Sequence, residues 1–387
     1  MWYFISPEVV YGLDAVTRLA QLEGKLACII TDTNMVKLGF VDKVKEQLSK
    51  AGMKINVFDG VEPDPSIETV NKGAAFLRQY KPDWVVALGG GSVMDAAKGM
   101  SAGYERPDVK VEELNPFTPL GPRTKAKLIC IPTTSGTGAE ATWGIILTVT
   151  GEDRKGSFGC RACTPDIALV DPAFALLMPP ELTAQTGLDA LTHAIEGFTS
   201  TWKNDFSDGL LLKAIQLVFQ YLPRAYRDGQ DMEAREKLHN AACLAGLGFI
   251  NSMCAMAHAT GHALGGVFHT PHGRAVALLL PYTIEFIGDA REELWAEIAY
   301  TLKLEVPKGK KAAPILAQAI RDLARSVKEP LSIKETGIPA DSFNKSIEKL
   351  ADNANLDFQL VTTARAPNIA ETEKFFRYAY DGKSIDF

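Results

Sequence analysis

The chain of 387 residues contains only six histidines and six cysteines, and it has no long basic or apolar run. Its 41 lysines and arginines are outnumbered by 47 acidic residues, for a formal net charge of -6. This balance argues against nucleic acid and membrane surfaces as partners. The longest apolar stretches, such as AVALLLPYTIEF, are interrupted too early to span a bilayer.

The cysteines give no sign of a disulfide framework or a zinc ribbon. Cys160 and Cys163 form a single CxxC pair without the second pair that a ribbon requires. The first residues, MWYFISPEVVYG, also lack the basic leader and apolar segment of a secretory signal. We therefore expect reduced thiols in a cytoplasmic protein. The CxxC pair is interpreted as two ordinary thiols near a strand, with a redox pair as the alternative.

The first half of the chain alternates short apolar runs with helical patterns. The runs predicted as buried strands are LACIIT (26–31), KINVFDG (54–60), WVVALGGG (84–91), KLICIPTT (127–134) and DIALVD (166–171). Amphipathic helices are predicted over 34–51, near 66–80 and from about Ser92. Such alternation, with nearly continuous apolar strands, predicts a parallel sheet covered on both faces.

The sequence changes character at Met178-Pro179-Pro180. Strand patterns nearly vanish beyond this point, and Ala- and Leu-rich segments with helical periodicity follow. We predict an α/β domain over residues 1–178 and an all-α helical domain over residues 179–387. A cleft between two such domains is the usual place for a ligand.

Two glycine-containing segments follow predicted strands. In ALGGGSVMDAAKG, the turn directs backbone N–H groups and a helix dipole at one point, which favours a phosphate. Met94 replaces the third glycine of the Rossmann fingerprint, and no P-loop lysine follows. The second segment, PTTSGTGAEAT, is rich in hydroxyls, and the two together predict a nucleotide crevice. Asp32, after the first strand, could bind a ribose hydroxyl or cap a helix.

Four of the six histidines lie in HATGHALGGVFHTPHG. His258 and His262 are four residues apart, so one helix presents both on the same face. Asp189 and His193 have the same spacing in GLDALTHAIEG, and His272 follows in a turn bounded by proline. Single histidines on apolar helices are usually core residues, but this combination predicts a site for Fe²⁺ or Zn²⁺. Four further polar residues are interpreted as bystanders or structural hydrogen bonders: His239, His269, Glu140 and Glu196.

The segments GGGSVMDAAK, PTTSGTGAEAT, GLDALTHAIE and HATGHALGGVFHTPHG together resemble the iron-containing (group III) alcohol dehydrogenase family. The resemblance extends from about residue 5 to residue 380. It implies a Rossmann-like N-terminal domain, a helical C-terminal domain, and a homodimer or larger homo-oligomer. It also implies interconversion of an alcohol with its aldehyde or ketone, with NAD(H) and one divalent metal. Fe²⁺ is the expected metal, with Zn²⁺ as the alternative.

The resemblance also implies roles for individual residues. The implied metal ligands are Asp189, His193, His258 and His272. The implied cofactor-binding residues are Asp32, Gly90, Gly91, Ser92, Asp95, Thr133, Thr134 and Lys155. His262 would lie beside the metal without binding it and would relay the alcohol proton or contact the substrate. The alternative for His262 is simple packing or a bond to a backbone carbonyl. A carboxylate at the ribose predicts a preference for NAD(H) over NADP(H), since it repels a 2′-phosphate.

Several positions depart from the family pattern, namely Trp143, Gly144 and the run GCRACTP. They leave the substrate open among a 1-alkanol, a diol, a hydroxy acid and a sulfonated alcohol. Two other enzymes of this fold are alternatives, one similar to glycerol dehydrogenase and one to dehydroquinate synthase. The second would normally have a different ligand set and a more basic site. A non-catalytic metal or nucleotide sensor is a third hypothesis, against which the complete ligand and cofactor sets argue.

Overall fold

The computed structural model describes residues 3–149 and 154–387, without the side chains of residues 154 and 155. The chain divides into two compact units, Met1–Met178 and Pro179–Phe387. The first unit contains the strands and the second is helical. No described helix is both long enough and apolar enough to cross a membrane.

The first unit is built on a six-stranded parallel sheet. In chain order the strands are β1 (Glu8–Tyr11), β2 (Leu26–Ile30), β3 (Lys54–Phe58), β4 (Trp84–Gly89), β5 (Lys127–Pro132), β6 (Ile145–Val149), β7 (Arg154–Phe158) and β8 (Ile167–Val170). The sheet has the order β1-β8-β5-β4-β2-β3, while β6 and β7 form a separate antiparallel hairpin. The fold class predicted from the sequence is confirmed, because the continuous apolar runs became strands buried on both faces.

Helices cover both faces of this sheet. They are α1 (Thr33–Lys37), α2 (Phe40–Lys50), α3 (Ile67–Tyr80) and α4 (Gly91–Glu105). Alternate strand residues pack against α3 and α4 on one face, and against α2 on the other. The single helix predicted over 34–51 is wrong. Gly39 has a φ of 75°, which favours glycine, and it separates α1 from α2.

The strand order reverses between β2 and β4. The chain passes from β2 outward to β3 and then returns to the other side of β2 as β4. In open parallel sheets, the carboxyl ends of strands at such a reversal flank the usual ligand crevice. Asp32 follows β2 and Gly90 follows β4, so two of the predicted cofactor residues lie at the two sides of this point.

The second unit, residues 179–387, contains helices and no strand, and the structure describes all of it. Its helices are α5 (Pro180–Thr199), α6 (Asp205–Arg227), α7 (Met232–Phe249), α8 (Met256–Phe268), α9 (His272–Ile287), α10 (Glu292–Thr301), α11 (Ala312–Ser326), α12 (Ala340–Leu356) and α13 (Ile369–Asp381). Helix α5 is buried over nearly its whole length and packs against α6, α7 and α9. A helix buried on all sides makes rigid positions available for polar side chains in the interior.

Candidate metal centre and nucleotide site

Three helices of the second unit bring the four predicted metal ligands together. Helix α5 presents Asp189 and His193 on one face, α8 contributes His258, and α9 begins at His272. Each of the four side chains offers one ligand atom, and these atoms lie within 4.8 Å of one another. The spacing of four residues placed the first pair on one helical face, as the sequence predicted.

The distances between these atoms suit one small cation. From Asp189 Oδ1, the nearest ring nitrogens are His272 Nε2 at 3.4 Å, His193 Nδ1 at 3.7 Å and His258 Nε2 at 3.9 Å. Ligands held at about 2.1 Å from a tetrahedral metal are about 3.4 Å apart. The side chains therefore have the spacing that a metal requires.

Three of these donor atoms have unmet hydrogen-bonding capacity. Asp189 Oδ1, His193 Nδ1 and His258 Nε2 are buried and have no hydrogen-bond partner among the described residues. An unpaired buried polar atom costs about 1–3 kcal/mol, so three at one point are unusual without a ligand. A cation would pair with all three at once. Three imidazoles with one carboxylate fit a divalent transition metal.

The environment also favours the protonation states that bind metals. Burial lowers the pKa of His193 and of His258 to about 3, so both rings are neutral near pH 7. Burial opposes ionisation of Asp189, but the nearby histidines outweigh it and hold its pKa below the ordinary value. Neutral imidazoles and an ionised carboxylate are the forms that coordinate metals.

Glu196 lies behind His258 and was interpreted from the sequence only as a structural hydrogen bonder. Its carboxylate accepts the backbone N–H groups of Ala255 and Ala257, at 3.1 and 2.5 Å, and lies 2.6 Å from His258 Nδ1. Burial raises the pKa of Glu196 to about 7, although these backbone hydrogen bonds oppose the shift. Glu196, Cys254 and His258 also lie within metal-binding distance of one another. Both oxygens of Glu196 already accept hydrogen bonds, so this trio is a poor second metal site.

His262 is adjacent to the four donors but outside their group. Its ring centroid lies 5.3 Å from that of His272 and 5.8 Å from that of His258. Its Nδ1 lies 2.8 Å from Oδ2 of Asp357, and not against a backbone carbonyl. Burial opposes ionisation of Asp357, but the hydrogen bonds from His262 and from the backbone N–H of Gln359, with the nearby imidazoles, together outweigh it and lower the pKa of that carboxyl. Sequence reasoning missed Asp357, because no spacing rule connects residues 95 positions apart.

The start of α9 is held tightly against α5. A Cβ atom on Gly273 would lie 2.5 Å from the carbonyl oxygen of Gln185 and 3.4 Å from Cβ of Asp189. Arg274 donates to Glu329 at 2.7 Å and to Glu181, at the start of α5, at 3.0 Å. Because Gly273 has no side chain, α9 can approach α5 closely, and the ion pairs of Arg274 hold the start of α9 in place. Together they fix the position of His272 relative to Asp189.

The glycine turn and the threonine loop of the first unit are in contact. Thr133 N–H donates to the carbonyl of Gly89 at 3.0 Å, and a Cβ on Gly91 would lie 2.8 Å from Cγ2 of Thr137. Gly90 is the N-cap of α4 and has no side chain to accept the first N–H groups of the helix. Thr134 Oγ1 is buried and has no partner within the described part of the chain. An anionic group such as a phosphate fits these free donors.

Of the remaining predicted cofactor residues, Asp32 and Ser92 accept hydrogen bonds from backbone N–H groups, and the side chain of Lys155 is not described. Asp32 Oδ1 accepts the N–H groups of Asn34 and Met35 at 2.7 and 3.1 Å, so Asp32 caps α1. A ribose contact by Asp32 stays a prediction. Ser92 Oγ accepts a long hydrogen bond of 3.4 Å from the N–H of Asp64. Lys155 belongs to β7, and its side chain lies outside the described part of the structure.

Asp95 and Lys98 connect α4 to the β6–β7 hairpin. Lys98 is fully buried and donates to Asp95 at 3.2 Å, and to Thr142 and the carbonyl of Gly144 at 3.0 Å each. The second oxygen of Asp95 accepts the N–H of Ile146 at 3.0 Å. These contacts join Asp95 to the hairpin, and support of the glycine turn by Asp95 stays a prediction. Lys98 lies in the segment GGGSVMDAAK, but its hydrogen bonds to Thr142 and Gly144 depend on the fold and could not be predicted from the sequence.

The CxxC pair is buried in the first unit. The sulfur atoms of Cys160 and Cys163 are 3.9 Å apart, which is hydrogen-bonding distance and not a disulfide. The hydrogen bond from Cys163 lowers the pKa of Cys160 to about 6, while that of Cys163 is raised. Both side chains are almost inaccessible to solvent, which favours the interpretation as packed thiols.

Comparison with known proteins gives matches over nearly the whole chain. Residues 6–172 match the family model described as iron-containing alcohol dehydrogenase, and residues 183–380 match that of the family's C-terminal part. The chain is 39% identical over 389 residues to the NADPH-dependent butanol dehydrogenase of Clostridium saccharobutylicum, with 100% of both chains covered. It is 35% identical to aldehyde-alcohol dehydrogenase 2 of Entamoeba histolytica, over 98% of this chain but 46% of that longer relative. The crystal structure of a 1,3-propanediol oxidoreductase superposes with a TM-score of 0.92 at 31% identity, covering 98% of this chain and 100% of that one.

Proposed function

The chain belongs to the iron-containing alcohol dehydrogenase family, and from this premise we propose how its own residues carry out the reaction. The resemblance predicted from four motifs is thereby confirmed, and the chain is an oxidoreductase that interconverts alcohols and aldehydes. We propose that its metal is Fe²⁺, with Zn²⁺ as the alternative, held by Asp189, His193, His258 and His272. The observation that carries this assignment is the group of buried donor atoms without partners at mutual distances suited to one cation.

The metal would stabilise negative charge on the substrate oxygen, and a nicotinamide would accept or donate the hydride. The protein must then handle the remaining hydroxyl proton. Asp357 orients the ring of His262, so the other ring nitrogen can accept that proton when the alcohol is oxidised. In aldehyde reduction the same nitrogen returns the proton. His262 is thus the proposed catalytic acid and base.

The cofactor proposal is NAD(H) in preference to NADP(H). Its support is the carboxylate of Asp32 at the end of β2, beside the reversal of strand order. Gly90, Gly91, Ser92, Thr133 and Thr134 would surround the phosphates, with Asp95 bracing the turn and Lys155 lining the site. The relative with 39% identity is named for NADPH, so this chain would differ from that relative in cofactor choice.

The proposed substrate class is short primary alcohols and diols with their aldehydes. Its support is the naming of similar proteins for butanol and 1,3-propanediol. We also propose a homodimer or larger homo-oligomer, since β1 is an edge strand with one open side. A reducing, cytoplasmic compartment is also proposed, since the six cysteines are thiols and form no disulfides with one another.

Metal content and turnover test the proposal together. The wild-type protein should carry one Fe²⁺ or Zn²⁺ per chain and form reduced nicotinamide from a panel of short alcohols. His272→Ala should lose tight metal binding and most turnover while remaining folded. His269→Asn is the matched control, because His269 is an exposed neighbour with a φ of 56°, which asparagine tolerates. Unchanged metal stoichiometry and activity in His272→Ala would contradict the assignment.

A further inference from the structure

We propose that Glu196 is a positioning residue for the metal centre. Its carboxylate sets the tautomer and orientation of His258, so that Nε2 of that ring is presented to the metal. This inference rests on the proposed metal site and concerns a residue that does not itself bind the metal.

The first support is the hydrogen-bond geometry. Glu196 is 2% exposed, and Oε2 lies 2.6 Å from His258 Nδ1. Both oxygens of Glu196 already accept backbone N–H groups, so Oε2 acts as an acceptor toward the ring and Nδ1 carries the ring proton. A neutral imidazole has one such proton, which leaves Nε2 with a free lone pair. That lone pair belongs to the atom 3.9 Å from Asp189 Oδ1, inside the donor cluster.

The second support is the position of Glu196 between two helices. It belongs to α5, three residues after His193, and it accepts N–H groups at the start of α8, from Ala257 at 2.5 Å and His258 at 3.4 Å. One carboxylate therefore holds the beginning of α8 against the helix that carries Asp189 and His193. An ordinary helix cap would satisfy the backbone but would have no effect on the ring of His258.

The contrast with Asp189 separates the two roles. Asp189 Oδ1 has no hydrogen-bond partner among the described residues, whereas both oxygens of Glu196 accept hydrogen bonds. Metal ligands of the histidine type commonly donate their second N–H to a carboxylate, which fixes the ring and strengthens the ligand. Glu196 has the geometry of this supporting group.

Two substitutions at Glu196 test the proposal by metal affinity. Zn²⁺ is titrated into metal-free protein against a competing chelator. In Glu196→Gln an oxygen can still accept from His258, but the amide NH₂ must face a backbone N–H, and affinity should fall about 10-fold. In Glu196→Met no acceptor remains, and affinity should fall about 100-fold. The expected order is therefore wild type, then Gln, then Met.

Asp171→Asn is the matched control for loss of a buried carboxylate. Asp171 is fully buried in the first unit and accepts the N–H groups of Val16 and Ala173 at 3.1 and 3.0 Å. Its substitution should lower thermal stability and leave Zn²⁺ affinity at the wild-type value. Equal affinity in wild type and in folded Glu196→Met would overturn the inference. Failure of the wild-type protein to bind Zn²⁺ would instead overturn the metal site itself.

A spectroscopic measurement on the unaltered protein gives a second test that does not depend on the folding of variants. The six histidines permit selective ¹⁵N labelling with few signals. In the metal-free protein, His258 should be the Nδ1–H tautomer with an unprotonated Nε2. The opposite tautomer for His258 would refute the proposed role of Glu196.

Discussion

His262 and Asp357 form a polar pair in contact with the donor cluster but not part of it. If His262 relays the hydroxyl proton, His262→Ala should retain the metal and the affinity for nicotinamide. Turnover should fall by about 10²–10⁴-fold, the usual contribution of a positioned imidazole, and its pH profile should change. Steady-state kinetics across pH and elemental analysis provide the measurement. Loss of metal would make His262 a ligand, and wild-type turnover at every pH would make it a bystander.

The carboxylate of Asp32 determines the expected cofactor preference. A 2′-phosphate would be repelled by this charge, so the wild-type protein should have the higher kcat/KM with NAD(H). Asp32→Gly should shift the preference toward NADP(H) and also lose the cap of α1. Asp32→Asn is a control that keeps a helix cap without the charge. A wild-type kcat/KM that is equal or higher with NADP(H) would refute the prediction.

The contact between His262 and Asp357 also predicts that the free energy of unfolding depends on pH. The pKa of Asp357 is lowered in the folded protein, and in the unfolded chain it returns to about 3.9. The folded state therefore gains stability above about pH 3.9 and loses it as the pH falls below that value. Asp357→Asn should lack this contribution. Urea unfolding should show a difference between wild type and variant that is larger at pH 6 than at pH 3, and a constant difference would contradict the assignment.

At this scale, the sequence was most informative where donors share a helix. The spacing of four residues predicted the common face of Asp189 and His193, because helical periodicity is local. The partners Glu196 and Asp357 could not be assigned to His258 and His262, since those contacts depend on how separate helices pack. Asp32 had two open roles, and the observed helix cap is one of them.

At the scale of elements, the close approach of α9 to α5 is the decisive contact. A methyl group on Gly273 would meet the backbone of Gln185, so Gly273→Ala should push His272 away from Asp189. We expect weaker metal affinity and a loss of about 1–3 kcal/mol in the free energy of unfolding. Metal titration and denaturant unfolding measure both effects.

Gly266→Ala is the matched control for this substitution. Gly266 lies in α8, and among the described residues a Cβ there would meet no atom within 4 Å outside its own stretch of helix. Alanine is the better helix former, so this variant should be unchanged or slightly more stable, by about 0.5–1 kcal/mol. If both variants bind metal as tightly as wild type, then the approach of α9 does not position His272.

Element boundaries followed from the sequence where local signals were strong. Ser66 caps α3 with its side chain, and Trp84–Gly89 is an apolar run that became a central strand. The break at Gly39 was missed, because the apolar periodicity continues across it. The β6–β7 hairpin was also missed, since it pairs outside the main sheet and lacks a two-residue turn signal.

At the scale of the whole molecule, the metal would connect α5, α8 and α9 and so stabilise the second unit. At a free metal concentration 100 times the Kd, binding adds about 2.7 kcal/mol to the free energy of unfolding. Removal of metal by a chelator should therefore lower the Tm of the wild-type protein by several degrees. Calorimetry should show no such shift in His272→Ala. A chelator-independent Tm in metal-loaded wild type would contradict a structural contribution of the metal.

Alternation of strands and helices predicted the fold class, because each apolar strand needed cover on both faces. The order of strands could not be predicted in the same way. The reversal between β2 and β4 depends on pairing between strands that are distant in sequence, and no local pattern encodes it. The predicted nucleotide crevice could therefore be located only from the observed strand order.

The pairing of β1 with β8 has a consequence for synthesis on the ribosome. Glu8 of β1 pairs with Ile167 of β8, so the first strand of this sheet cannot pair until the last one has been made. At about 5–20 residues per second, that interval is roughly 10–30 s. During it, one edge of β5 has no neighbour, and closing so long a loop costs chain entropy before any hydrogen bond forms. The nascent sheet is therefore exposed to misassembly until β8, which lies between β1 and β5, leaves the exit tunnel.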